Sequence, residues 1–305
     1  MKGVLMHMLK KSSLFLVLAC MVLLISACGA QGGGSAAGNT PVASLTPAQL
    51  LQKTTTTMSQ LKSVSFTMKS GGNTTMPSFT GSGGNSQTIS TTTKANGVLV
   101  PPHDTKLQLS TAIPGQTLSF AEVIKGQKVY IQNQKGQWYV MDKSASGASF
   151  TNSNVTDYNK LLLLKDVKVT DDGNTTLNGT SVRHLTLTFT KNALNDLMND
   201  TGTLNNLPAS QKQQMSKVFQ NMTMKNTVLD VWIDNATAYL HRFQLQFDLD
   251  MDMSKSVTPI PGNSASSSNI EVTQNTVIDY SKFNDPVTIA APGNATPASS
   301  MQQIF

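Results

Sequence analysis

Hydrophobic and polar residues alternate along much of this chain, most regularly between His241 and Met253. Successive side chains of a strand point to opposite faces, so this segment is predicted to be a strand with one apolar and one polar face. Its apolar face carries Phe243, Leu245, Phe247, Leu249, Met251 and Met253. In extended chain that face would be about 40 Å long.

Similar alternation predicts a series of further strands. They cover residues 64–69, 107–113, 118–124, 129–131, 138–140, 167–169, 182–189, 227–234, 238–253 and 270–280. Turn signals fall between several of them, at residues 133–136, 234–237 and above all at Asn178-Gly179, which suits a tight hairpin. The pattern favours antiparallel meanders. Residues 71–85, rich in Gly, Ser and Thr, predict a mobile hairpin end or a loop, and the polar Pro-, Gly- and Ser-rich residues 254–268 predict a loop.

A helical period of apolar residues appears first after Thr46. Thr46 and Gln49 form a capping-box pattern, with Pro47 at the favoured first helical position. Leu50, Leu51, Met58 and Leu61 share one face of the helix that follows. Shorter apolar patches predict further helices at 158–164, at 193–198 and after Pro208. The fold class is therefore α+β.

The N-terminus has the pattern of a bacterial lipoprotein signal. Lys10 and Lys11 precede an apolar run from Leu14 to Ile25, and Ser26 and Ala27 lead to Cys28. The run is shorter than the ~20 residues that a spanning helix needs, so cleavage and lipid attachment to the Cys28 sulfur explain it better. The expected organisation is signal peptide 1–27, lipidated cysteine and flexible tether 28–45, one domain 46–290 and a flexible tail 291–305.

Composition narrows the function classes. The other cysteine, Cys20, would leave with the signal, so no internal disulfide is expected. Loss of Lys2, Lys10 and Lys11 lowers the basic count from 23 to 20 against 17 acidic residues, a net charge of about +3. That charge is too small to indicate nucleic acid. About 240 residues remain after signal and tether, enough for one domain.

No catalytic or metal motif is visible in the sequence. His103, His184 and His241 lack zinc-ligand spacing and are interpreted as isolated strand or loop histidines. The sequence has no nucleophile elbow and no phosphate-binding glycine loop. Asp248, Asp250 and Asp252 imitate the start of a calcium loop without its later ligands, and are interpreted as a solvated strand face. An enzyme is not expected, and neither is a cofactor.

Short motifs in a fixed order resemble the LppX/LprAFG lipoproteins. They are SVSF at 63–66, GQKVYI at 126–131, WYVMD at 138–142, LNGT at 177–180, VWID at 231–234 and YSKFNDPV at 280–287. The fold of that family is similar to LolA. The resemblance implies a strongly curved antiparallel sheet, an unclosed barrel, with a few helices on its concave face and an apolar cavity between. It also implies binding of lipid or glycolipid acyl chains for transport in the cell envelope.

The expected function is thus a lipid-binding lipoprotein on the extracytoplasmic face of the cell membrane. Its partners would be acyl chains and a membrane transporter or envelope protein. The candidate cavity-lining residues are Phe120, Phe243, Leu245, Phe247, Leu249 and Met251. Ordinary core packing accounts for the same residues equally well. Two other functions stay open: an envelope sensor or scaffold of this fold that binds a protein, and an inert surface lipoprotein.

Overall fold

A single 12-stranded sheet holds almost every regular element of the residues that the computed structural model describes. Those residues are 41–76, 86–102, 104–143, 167–190, 222–252 and 269–304. The strands are β1 (Val64–Met76), β2 (Gln87–Val100), β3 (Asp104–Ile113), β4 (Gln116–Lys125), β5 (Lys128–Gln132), β6 (Trp138–Asp142), β7 (Val167–Leu177), β8 (Thr180–Phe189), β9 (Met222–Asp234), β10 (Leu240–Asp252), β11 (Asn269–Ser281) and β12 (Thr296–Pro297). Helix α1 (Pro47–Ser59) precedes them, and 3-10 turns lie at Val42–Ser44 and Met301–Gln303.

Two antiparallel meanders form the sheet. Strands β1 to β6 make one and β7 to β11 the other, and the pairing of β1 with β11 joins them. Strands β12 and β7 end the sheet at opposite edges, so the sheet curves without closing. The strongly curved, unclosed antiparallel sheet predicted from the sequence is confirmed.

The predicted turns form where their residue types require them. Asn178 and Gly179 both have positive φ, 50° and 84°, which gives the two-residue hairpin between β7 and β8. Between β5 and β6 the amide of Gly136 donates to the carbonyl of Asn133 at 3.0 Å. Between β9 and β10 the Asp234 carboxylate accepts from two backbone amides at 2.7 Å. These three turns confirm the turn predictions.

Helix α1 begins at the predicted capping box. Thr46 accepts from the amide of Gln49, and the amide of Thr46 donates to the Gln49 side chain at 2.9 Å. The apolar stripe packs on the sheet, where Met58 is 2 % exposed and its Sδ accepts from the amide of Leu240 at 3.4 Å. The other predicted helices, at 158–164, at 193–198 and after Pro208, lie outside the described residues. Among the described residues α1 is the one α-helix, and the group of helices on the concave face stays a prediction.

The start of the hairpin end or loop predicted at 71–85 is wrong, because residues 71–76 belong to a strand. β1 continues to Met76, with Gly72 opposite Thr91 and Met76 opposite Gln87. Strand β2 was not predicted from the sequence. β1 is held between β2 and β11, and these two ladders fix a Gly- and Thr-rich stretch that local propensity alone leaves as loop.

Part of the segment predicted as a flexible tail, residues 291–305, contacts the sheet. Thr296–Pro297 pairs in parallel with β6, and the amide of Ala298 donates to the carbonyl of Val140 at 2.9 Å. Ile304 is 5 % exposed and joins a small apolar cluster with Ile131 and Met141 of β5 and β6. These contacts join the end of the chain to the β6 edge of the sheet.

Candidate functional site

The inner face of the sheet, defined here as the face that carries the buried side chains, is apolar across most of its strands. Its clearest row runs from β4 to β8, with directly paired residues on neighbouring strands. The row consists of Phe120, Leu109, Ala95, Met68, Ile278, Phe243, Val231 and Leu185. The two meanders therefore build one continuous apolar surface.

The predicted lining residues share this inner face. Four of them, Phe243, Leu245, Phe247 and Met251, are buried, with exposures of 0 to 8 %. Phe120 and Leu249 are half-buried. Phe120 and Phe243 lie in the same cross-strand row although they come from different meanders. Contact of these six residues with a ligand stays a prediction.

Burial divides the inner face into two kinds of surface. Under α1 the inner-face side chains are buried from solvent, because Leu50 and Met58 of the helix form one cluster with Phe66 and Leu240 of the sheet. Elsewhere apolar side chains are only half-buried. Met68, Leu109, Phe120 and Leu249 belong to this second group. Half-buried apolar side chains next to a closed core are the surface that a hydrophobic ligand can cover.

A band of polar side chains crosses the inner face between these apolar rows. Ser70, Thr93, Thr111 and Thr276 are direct cross-strand neighbours on β1, β2, β3 and β11. Their exposures are 0 to 8 %. The Ser70 and Thr276 hydroxyls are 2.6 Å apart, and those of Thr93 and Thr111 are 3.0 Å apart. Gln274 donates from Nε2 to Ser70 at 2.5 Å. We call these five residues the hydroxyl belt.

On the outer face, His184 lies between two carboxylates. Its Nε2 is 2.9 Å from Asp230 and its Nδ1 is 3.7 Å from Asp172, while its ring stacks on Trp232 with centroids 4.4 Å apart. The Thr186 hydroxyl is within hydrogen-bond distance of both carboxylates and can donate to either. The ligand atoms of Asp172, His184 and Asp230 lie within 4.8 Å of one another, a spacing that a metal ion could bridge.

The interpretation of His184 as an isolated histidine is therefore wrong. Its acidic neighbours come from β7 and β9, and no pattern along one strand reveals such a register. His103 lies outside the described residues. His241 is 3.7 Å from Asp234, and burial lowers the pKa of its imidazole although that carboxylate opposes the shift.

Polar side chains on the outer face of β10 contact side chains of the neighbouring strands β9 and β11. Asp250 forms an ion pair with Lys225, and the hydrogen bond from that lysine raises the pKa of its ammonium. Asn226 donates to Asp248 at 3.0 Å, and Arg242 binds Asp279 through two nitrogens at 2.6 and 3.1 Å. These outer-face contacts connect β9, β10 and β11 to one another. The main candidate site is therefore the apolar inner face.

Residues 46–299 match the sequence model of DUF6612, described as a family of unknown function, and the chain belongs to that family. No curated protein matches the sequence. Within the described residues no helix combines the length and the apolar character needed to cross a membrane.

Several solved structures are similar to this chain. LprF from Mycobacterium bovis has 12 % identity and a TM-score of 0.41, over 81 % of this chain and 96 % of LprF. The lipoprotein LppX from Mycobacterium tuberculosis has 13 % identity and a TM-score of 0.40, over 80 % of this chain and 98 % of LppX. A LolA superfamily protein from Nitrosomonas europaea has 11 % identity and a TM-score of 0.21, over 81 % and 96 %. LprF and LppX are the kind of lipoprotein that the sequence motifs resemble.

Proposed function

We propose that this protein is an extracytoplasmic lipoprotein, anchored through Cys28, that binds the acyl chains of a lipid or glycolipid on its inner face. Binding would serve transport or transfer within the cell envelope. The observation that carries the proposal is the apolar row that crosses the inner face from β4 to β8. In and beside this row, half-buried Met68, Leu109, Phe120 and Leu249 adjoin a closed core.

Hydrocarbon burial supplies the binding energy. Each methylene group that leaves water for an apolar surface contributes roughly 0.8 kcal/mol. An acyl chain laid along the inner face would therefore recover much of what it loses on leaving the bilayer. Methionine and phenylalanine suit this task, since a flexible thioether adapts to irregular apolar partners and a ring covers a large area. No covalent step is required.

The outer surface of the described residues agrees with a carrier better than with a scaffold. A protein-binding scaffold should present an exposed apolar patch to its partner. Among the described residues, Val287 at 37 % is the one exposed large hydrophobic side chain. The apolar area of the described domain is thus directed inward, which supports a small apolar ligand over a protein partner.

Native mass spectrometry of the unanchored protein tests the proposal. The mature chain from residue 28, with Cys28→Ser, is exported behind an ordinary cleavable signal and purified without detergent. We expect co-purified lipid at a fixed stoichiometry, identified after organic extraction. Leu109→Asp should reduce the bound fraction at least ~10-fold, because a carboxylate on the half-buried apolar surface opposes hydrocarbon binding. Gln108→Asp, on the exposed side of the same strand, is the matched control.

The alternative functions predict a different result. A chain that carries no lipid after export, and takes up none when incubated with vesicles of envelope lipids, would contradict the proposal. Such a result would favour the sensor or scaffold function.

A further inference from the structure

The hydroxyl belt crosses the inner face between two apolar regions. On the α1 side the inner face continues with Ile278, Met68 and Leu109. On the other side a row of Thr91, Gly72 and Gln274 comes first, and Val272 and Ile270 follow it. We propose that the belt is a binding subsite for the carbonyl groups of an acyl ester or amide, so that the preferred ligand is an acylated amphiphile whose linkage lies at the belt. This inference rests on the proposed function.

Packing alone gives no reason for hydroxyls at these positions. Valine has nearly the shape of threonine and is an equally good strand residue, and it buries no polar atom. A hydroxyl that leaves water is unfavourable unless it is hydrogen-bonded. Thr93 has no exposed surface and Ser70 is 3 % exposed. The chain thus places polar atoms where valine or alanine would fill the same space, which indicates a polar group to be bound.

The belt can donate hydrogen bonds to such a group. The Ser70 and Thr276 hydroxyls share one hydrogen bond and receive another from Gln274, so one of their two hydrogens can turn toward a ligand. Thr227 of β9 lies on the inner face one row away from the belt, because the β9 bulge beside it is opposite Phe247, which pairs with Gln274 and not with Thr276. Its buried hydroxyl has no hydrogen-bond partner among the described residues. A ligand carbonyl would satisfy donors of this kind.

The chemistry of the belt selects the ligand class. Its five side chains are all uncharged, which suits a neutral carbonyl better than a phosphate or a carboxylate. Four adjacent strands give the belt a length of ~14 Å, enough for more than one ester group. Apolar side chains follow on the α1 side of the belt, and on the other side Ile89, Val272 and Leu249 follow beyond Thr91 and Gly72, so hydrocarbon can extend in either direction. A molecule with acyl esters in its middle and chains on both sides fits this order.

A matched pair of ligands isolates the carbonyl. Dioctanoylglycerol and its diether analogue dioctylglycerol differ only in the two carbonyl oxygens. The mature chain with Cys28→Ser is titrated with each by calorimetry. We expect the diester to bind about 10-fold more tightly, as one or two hydrogen bonds to buried donors would give.

Replacing a bonded pair of hydroxyls by isosteres tests the residues. The double variant Thr93→Val and Thr111→Val removes both partners of the hydrogen bond between these two hydroxyls at nearly constant volume. We expect it to bind both ligands within about 2-fold of each other while its affinity for the diether is unchanged. Thr92→Val, on the exposed side of β2, is the control and should keep the ester preference. If the double variant does not fold, Thr276→Val alone serves.

The outcomes separate the two proposals. Equal binding of diester and diether by the unsubstituted protein would overturn the subsite and leave the lipid-binding function standing. An ester preference that persists in a folded double variant, with only its melting temperature altered, would show the belt to be a structural ladder. Failure of both ligands to bind would overturn the proposed function and the subsite with it.

Discussion

Gly97 on β2 leaves the space that the ring of Phe66 occupies. A Cβ at this position would lie 2.7 Å from two ring carbons and 2.6 Å from the carbonyl oxygen of Lys106. Atoms in well-packed cores do not approach so closely, so either the ring or β3 would have to move. Glycine in the middle of this strand thus marks a close approach, not a turn.

We predict that Gly97→Ala destabilises the fold by about 1–3 kcal/mol, the usual effect of overpacking a core. Chemical denaturation measures it. Gly71→Ala in β1 is the control, because a Cβ there would be 3.9 Å from its nearest neighbour, the carbonyl oxygen of Thr91. Equal stability of the two variants would contradict the close contact between Phe66 and Gly97.

Arg183 on β8 connects an edge of the sheet to the chain before α1. Its Nε lies 3.1 and 3.2 Å from the two carboxylate oxygens of Asp171 on β7, and its Nη1 donates to the carbonyl of Leu45 at 2.6 Å. The hydrogen bond from Arg183 is the main reason that the pKa of the Asp171 carboxyl lies below its ordinary range. The pair therefore links three elements through a charge that depends on pH.

The sign of the pH effect follows from this lowered pKa. Unfolded Asp171 takes up its proton at the ordinary pKa, and folded Asp171 only at lower pH. The stabilisation is thus present above the ordinary pKa and is lost as the pH falls through the folded pKa. We predict that Asp171→Asn lowers the melting temperature at about pH 6 and that its difference from the unsubstituted protein shrinks towards about pH 3.

Asp142→Asn provides the comparison for that experiment. Asp142 pairs with Lys128 at 2.9 Å, but both side chains are more than half exposed, at 62 % and 52 %. Exposed pairs of this kind contribute little to stability. The melting temperature of the Asp142→Asn variant should equal that of the unsubstituted protein at both about pH 6 and about pH 3. An equal decrease of the melting temperature in both variants would argue against a special role for Asp171.

The two kinds of strand in this sheet differ in how far sequence predicts them. β10 alternates large apolar and polar residues, so its extent and its inner face were predicted almost to the residue. On β2 the inner positions are Ile89, Thr91, Thr93, Ala95, Gly97 and Leu99. Small and polar side chains there give no hydrophobic contrast, and pairing with β1 and β3 decides the strand. The hydroxyl belt escaped prediction for the same reason.

Sites that depend on the register between strands are harder to predict from the sequence than local motifs. The capping box and the Asn178-Gly179 hairpin are local and follow from a few adjacent residues. The approach of His184 to Asp230 requires β8 and β9 to pair with one particular alignment. That alignment is set by burial of the inner face over whole strands. This alignment cannot be derived from the residues of one strand alone.

At the scale of the whole molecule, the sheet joins the beginning and end of the domain. β1 pairs with β11 over residues 65–75, and the carbonyl of Ser63 accepts from the amide of Asn284 at 2.9 Å. The two meanders thus cannot separate without breaking a central ladder. The inner face belongs to both of them, so a ligand bound there would depend on the intact domain.

The position of that domain relative to a membrane is predicted to depend on Cys28. A tether over residues 29–44, if it behaves as a flexible coil, would span ~20–25 Å and keep the domain near the lipid surface. Stable anchoring requires more than one acyl chain, which a diacylglyceryl cysteine provides. We predict that the protein fractionates with membranes and that its mature mass carries the lipid on Cys28. Cys28→Ser, exported behind an ordinary cleavable signal, should remove both properties.

Cys20→Ser is the matched control, because Cys20 lies in the apolar run that cleavage would remove. It should leave membrane association and mature mass unchanged.

The inner face and the anchor are expected to act independently in lipid binding. The unanchored Cys28→Ser chain should bind lipid as tightly as the anchored one. It should exchange lipid with vesicles more slowly, because it must first reach the surface by diffusion. Fluorescent-lipid transfer between vesicles measures that rate. Equal transfer rates for both forms would mean that the anchor has no part in delivery.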